Sequence, residues 1–105
     1  MNFKDLAKET REISDRIGNN LDAHLNKLTQ EVGEFNDAVQ KYRGIFCKQK
    51  AENLDSAKDE FGDVLFNLIY IADRIGIDVN KSLEYAENTL KKYKEREQVY
   101  IQNKK

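Results

Sequence analysis

The chain has 105 residues, 35% of them charged, no proline and a formal net charge of −1. Charges of both signs are interspersed, so there is no basic stripe of the kind that binds nucleic acid. A single cysteine, Cys47, rules out an intramolecular disulfide, and with a single histidine, His24, it argues against a zinc site. No apolar run approaches membrane-spanning length, and the N-terminus has no signal-peptide-like apolar stretch, so a soluble cytoplasmic protein is expected.

The absence of proline and the apolar spacing predict four helices. The first runs from about Asn2 to Ile17, with Phe3, Leu6, Ile13 and Ile17 as its apolar stripe, Thr10 between them, and Asn2 as N-cap. Gly18-Asn19-Asn20 is a turn. The second runs from about Leu21 to Arg43. Leu21, Leu25, Leu28, Val32, Phe35, Val39 and Tyr42 alternate by four and three, a seam suited to an antiparallel bundle. Residues 44–54 lose the period, and a connection this long is either a functional loop or a plain linker. The third helix begins near Asp55, a candidate N-cap, and ends before Gly76. Its broad face of Ala57, Phe61, Val64, Leu65, Leu68, Ile71, Ala72 and Ile75 makes it the most buried helix. The fourth starts after Asp78 and runs through Leu83, Ala86, Leu90 and Tyr93, with polar last turns that project. The expected fold is all-α: one domain over residues 1–105, an antiparallel four-helix bundle-like protomer with a frayed tail over about 97–105. A core from one short chain is modest, so assembly into an oligomer is expected.

One phrase occurs twice: Glu31-Val32-Gly33-Glu34 and Glu60-Phe61-Gly62-Asp63. Acids three apart share a helix face, so each phrase is a two-carboxylate claw. Glu9/Glu12 and Glu84/Glu87 have the same acid spacing but no glycine. A mid-helix glycine costs about 1 kcal/mol relative to alanine. Gly33 and Gly62 therefore imply either close approach of helix backbones or room for a ligand beside the acids. At about 100° per residue, Glu60 falls inside the apolar arc of its helix and Asp63 on the flank of that arc. Asn67 stacks one heptad beyond Glu60. Glu31 flanks the Leu28/Phe35 seam, Glu34 lies further round, and His24 sits one heptad before Glu31. A core-facing carboxylate is costly unless paired or metal-bound. Four carboxylates without Cys ligands suit Mg²⁺ or Mn²⁺, with substrate phosphates completing the shell.

Together these motifs resemble the MazG-like members of the all-α nucleoside triphosphate pyrophosphohydrolases. The resemblance covers about residues 21–96. It rests on Leu28-Thr29-Gln30-Glu31-Val32-Gly33-Glu34, on Asp59-Glu60-Phe61-Gly62-Asp63-Val64-Leu65-Phe66, on the turn Ala72-Asp73-Arg74-Ile75-Gly76-Ile77-Asp78, and on Asn88-Thr89-Leu90-Lys91 with Arg96 beyond. It implies Mg²⁺-dependent hydrolysis of a nucleoside triphosphate to the monophosphate and pyrophosphate, with nucleotide-pool cleansing as one role. Glu31, Glu34, Glu60 and Asp63 would hold the metal, and one of the glutamates would orient or deprotonate the attacking water. Asn88 and Lys91 would contact nucleotide, with Lys92, Tyr93 and Arg96 as neighbouring candidates, and Asn67 would line the pocket. From the wide apolar arc of the third helix a homodimer or homotetramer is expected, and from charge and composition no nucleic-acid or membrane partner. Close rivals are relatives acting on dUTP, dCTP or phosphoribosyl-ATP. A non-catalytic helical interaction protein is the rival of a different class. A di-iron bundle would require Glu-x-x-His pairs, and neither claw contains histidine.

Overall fold

The computed structural model describes residues 1–45 and 54–104. They form α1 (Phe3–Ile17), α2 (Leu21–Arg43), α3 (Asp55–Arg74), a short 3-10 turn (Val79–Lys81) and α4 (Ser82–Asn103), with no strand among the described residues. The fold is all-α, as the periodicity predicted. Most of the 44–54 connection, including Cys47, lies outside the described residues.

Local signals set the helix ends. Asn2 Oδ1 accepts from Asp5 N at 2.8 Å and Asn20 Oδ1 from Ala23 N at 2.9 Å, satisfying donors that have no intrahelical partner. Gly18 and Gly44 close α1 and α2 with φ of 79° and 73°, a conformation that costs glycine nothing. The start of α3 differs from the expectation. Leu54 is the cap residue and makes no side-chain cap bond, while Asp55 sits inside the first turn, where its charge opposes the helix dipole's positive end. Asp78 caps the 3-10 turn by accepting from Asn80 N at 3.0 Å, and α4 begins only at Ser82.

α3 is the hub, with Ala57, Asn67, Ile69, Tyr70 and Ile71 buried. α2 lies antiparallel along one side of it, and α1 and the 3-10 turn cover another. Ile69 packs with Ala7 and Val79, flanked by Leu6, Leu65 and Ala72. Arg11 pairs with Asp73 at 2.7 Å, and Arg74 pairs with Asp15 while its Nε donates to the Tyr70 hydroxyl. These contacts fix α1 against the C-terminal half of α3.

Only part of each apolar stripe is covered: Leu6 and Thr10 of α1 and Leu21, Leu28, Phe35 and Val39 of α2 are buried or half-buried. On α2 the buried residues are His24, Glu31 and Ala38, a strict seven-residue repeat beside the leucine seam, whereas Leu25, Val32 and Tyr42 are 42–49% exposed. On α1 the buried line is Ala7, Thr10 and Ser14, and Ile13 and Ile17 are exposed. Small and polar residues are thus the most buried on both helices. Several larger apolar side chains are left on the outside, as are Phe61 and Leu68 of α3 itself. α4 buries no residue and packs only on the 3-10 turn, so projection begins at its start and not in its last turns. The radius of gyration is 17.8 Å, against about 13 Å for a compact domain of this length.

Candidate functional site

The antiparallel pairing of α2 and α3 places two heptads side by side. His24 meets Asn67, and one heptad along each helix Glu31 meets Glu60. The first level is a closed polar network. Asn67 Nδ2 donates to the Asp63 carbonyl at 2.8 Å, so Asn67 Oδ1 accepts from His24 Nδ1 at 2.9 Å. In the neutral ring His24 Nε2 is then the acceptor for the Ser14 hydroxyl, also at 2.9 Å. Tyr70 stacks on the imidazole with centroids 3.8 Å apart. One buried side chain thereby joins α1, α2 and α3 with both ring nitrogens engaged, which also removes His24 as a metal ligand.

At the second level, carboxylate oxygens of Glu31, Glu34 and Glu60 all lie within 4.8 Å of one another. Glu31 is only 3% exposed, Glu60 is half-buried and Glu34 is exposed. Glu31 Oε1 accepts from Lys27 Nζ at 3.0 Å, but Glu31 Oε2 and Glu60 Oε2 are buried without any hydrogen-bond partner. Buried orphan acceptors are rare because each forfeits its hydration. Two in one cluster, with no donor between them, form an all-oxygen set that a hard divalent cation fits. The donor set is carboxylate oxygen alone, unlike the sulfur and nitrogen sets of zinc sites.

The electrostatics show the strain. The Glu60 carboxyl is pushed up to about 7, chiefly by the Glu31 carboxylate close beside it, with burial and the charge of Glu34 adding to the effect. Glu31 is held below its ordinary value, first by the ammonium of Lys27. Lys27 is raised in turn by Glu31, with Glu34 and Asp63 contributing.

Asp63 stands outside the close triplet, on an adjacent open cavity of about 460 Å³ whose lining includes His24, Lys27, Glu31, Phe66 and Asn67. Asn67 thus lines the pocket as expected, although its amide is already engaged by His24 and Asp63. Among the described residues no other group of three acids gathers in this way, and neither Glu9/Glu12 nor Glu84/Glu87 recruits a third. Gly33 and Gly62 each face open space, so close approach of backbones within this chain is not what they serve. Asn88, Lys91, Lys92, Tyr93 and Arg96 are all exposed on α4, which touches neither α2 nor α3. Arg96 stacks over Tyr93 at 5.2 Å and shares a shallow groove with Lys92. The chain does not bring these cations to its own acids. Lys27 and Phe66 were not singled out from sequence. Lys27's signal was its position four residues before Glu31, the spacing of a helical ion pair.

A family model for the MazG nucleotide pyrophosphohydrolase domain matches residues 20–100. The chain belongs to that family. The match runs from the cap of α2 through most of α4 and so includes both claws and the projecting helix. Membership makes the protein a nucleotide pyrophosphohydrolase, a hydrolase acting on acid anhydrides, and the family is generally dependent on divalent metal. No curated protein and no solved structure matches the chain significantly. Among the described residues no helix is long and apolar enough to cross a membrane. α1 precedes the MazG match, yet it supplies Ser14 to the network behind the acids.

The raised Glu60 value has a definite consequence for stability. Its folded value of about 7 exceeds the ordinary 4.5. Below 4.5 the group is protonated in folded and unfolded chains alike; as pH rises toward 7 the unfolded chain ionises first, so stability falls. Glu60→Gln removes this dependence. With a chelator present, the melting temperature of Glu60→Gln minus that of wild type should grow between pH 4.5 and about 7 and then level off. A difference that stays flat across this range would contradict the clustered arrangement.

Proposed function

We propose that this MazG-family protein hydrolyses a nucleoside triphosphate to the monophosphate and pyrophosphate with Mg²⁺, Mn²⁺ substituting, at the cluster of Glu31, Glu34 and Glu60 with Asp63 beside it. The supporting observation is the pair of orphaned buried oxygens, Glu31 Oε2 and Glu60 Oε2, within a set of convergent carboxylates. These residues would hold the metal, Asp63 joining from the cavity wall. When bound, the metal would neutralise the triphosphate and polarise the phosphorus under attack. The cavity beside the acids gives the nucleotide a place, with Phe66 offering a face for the base and Lys27 a positive charge for phosphate. Glutamate oxygens not used as ligands can orient the attacking water and accept its proton. The His24 network, locked behind the acids, holds the two helices in register throughout.

The reading includes a second copy of the chain. Asn88, Lys91, Lys92, Tyr93 and Arg96 are suited to polyphosphate and ribose but stand away from their own acids. The Leu25/Val32/Tyr42 seam and Phe61 are uncovered beside Gly33 and Gly62. A homodimer or homotetramer would cover that seam and let α4 of one chain serve the acids of another. Cleansing of nucleotide pools in the cytoplasm is the role proposed. Action on dUTP, dCTP or phosphoribosyl-ATP is the alternative, and a substrate panel separates the two.

Purified protein should release pyrophosphate from at least one canonical or damaged triphosphate only when Mg²⁺ or Mn²⁺ is added. Glu31→Gln and Glu60→Gln should each lower turnover by about 100-fold or more, the usual cost of losing a group that stabilises transition-state charge. Near wild-type turnover in either variant would refute the ligand assignment. Light scattering at micromolar concentration should return at least twice the 12.3 kDa chain mass, and a monomer would refute the shared site.

A further inference from the structure

Among the described residues, Lys27 is the one lysine or arginine lining the cavity beside the acid cluster. Its Nζ lies 3.0 Å from Glu31 Oε1, and its side chain is 53% exposed while that of Glu31 is 4% exposed. A half-solvated ammonium is therefore tethered to the most buried carboxylate of the site. It already offsets part of the negative charge that Glu31, Glu34 and Glu60 bring together.

We infer that Lys27 is an exchangeable counter-ion: it neutralises Glu31 in the metal-free protein and transfers to the substrate's polyphosphate when metal and nucleotide bind. The inference rests on the metal-binding reading proposed above. Two features of the site support it. First, a divalent cation held by Glu31 and Glu60 would compete with the ammonium, 3.0 Å from Glu31 Oε1, for the same carboxylate, and like charges repel strongly in a partly desolvated cluster. Lys27 Nζ must then give up its contact with Glu31. Second, its four-carbon stem has room to move, because the ammonium opens onto the same cavity that takes the triphosphate. Phosphate oxygens there replace the carboxylate oxygen that it leaves. An ammonium is suited to this exchange because it recognises phosphate as a point charge, without the fixed geometry that a guanidinium imposes.

The exchange has a functional consequence. Metal binding alone breaks the Lys27–Glu31 pair with nothing in return, whereas metal binding with a triphosphate breaks it and forms a new one. Lys27 thus makes metal and nucleotide bind cooperatively, and by linkage each raises the affinity of the other by the same factor. The metal-free site is kept partly neutral, and full loading awaits substrate.

Lys27→Met tests this because it is predicted to act with opposite signs on two binding constants. Calorimetric titration of Mg²⁺ into nucleotide-free protein should show about two- to fivefold tighter binding in Lys27→Met than in wild type, the scale of a partly exposed ion pair. At saturating Mg²⁺, binding of a non-hydrolysable α,β-methylene nucleoside triphosphate should weaken by about tenfold, the scale of one charge-assisted hydrogen bond. Lys27→Arg, which keeps the charge, should return both constants toward wild type. A variant that weakens both has lost structure, and the exchange is then refuted. Unchanged nucleotide binding, or Mg²⁺ binding that is not tightened, also refutes it. If wild type binds no Mg²⁺ with or without the nucleotide analogue, the metal reading itself fails, which titrations of wild type in both states reveal before any variant is made.

Discussion

The register of α2 against α3 is the constraint from which the site follows. His24 and Asn67 are paired, and Glu31 and Glu60 lie seven residues further along their respective helices. Seven residues span about 10.5 Å, close to two turns, so they return to the same helix face. Because the helices are antiparallel, fixing one level fixes the other. The imidazole is satisfied at both nitrogens and stacked by Tyr70, and any slip would orphan Ser14, His24 and Asn67 together. The network is thus a polar pin in a core too small to set register by shape alone, and its product is a convergence of carboxylates that folding by itself would disfavour.

That convergence stores electrostatic tension. Glu31 is stabilised by Lys27, whereas Glu60 resists ionisation beside it. The site is therefore least comfortable as a bare, fully charged cluster and is relieved by a cation. A metal that binds only the folded arrangement stabilises it by mass action. On the proposed reading, stability and catalysis pull in opposite directions at Glu60 and would pull in the same direction once the site is loaded.

Much of this was legible in sequence, and the reasons differ by residue. The helix ends could be read because Asn2, Asn20, Gly18 and Gly44 act through local backbone chemistry that needs no tertiary partner. Glu31, Glu34 and Glu60 could be read because acid pairs at i and i+3 share a face wherever the helix goes, although Asp63 stands outside the triplet that they form. Which face of α1 and α2 turns toward α3 could not be read. A wide apolar arc has two edges, and periodicity does not say which edge meets the same chain. The structure gives α3 the edge carrying His24 and Glu31 and leaves Leu25 and Val32 outside. The role of Gly33 and Gly62 was hidden for the same reason, since both face space that a single chain leaves empty. The separation of α4 from the acids could not be foreseen either, because its amphipathic pattern is the same whether it packs on its own chain or on another.

The central claim is that Glu31, Glu34 and Glu60 form a cation site that pays for its own repulsion when loaded. The most direct measurement is the melting temperature of wild type and Glu60→Gln across a Mg²⁺ titration at neutral pH and constant ionic strength. Wild type should gain stability steadily with Mg²⁺. Glu60→Gln should start as stable or more so and gain markedly less. Equal metal-induced shifts in the two proteins would show that Glu60 does not hold the cation and would contradict the account.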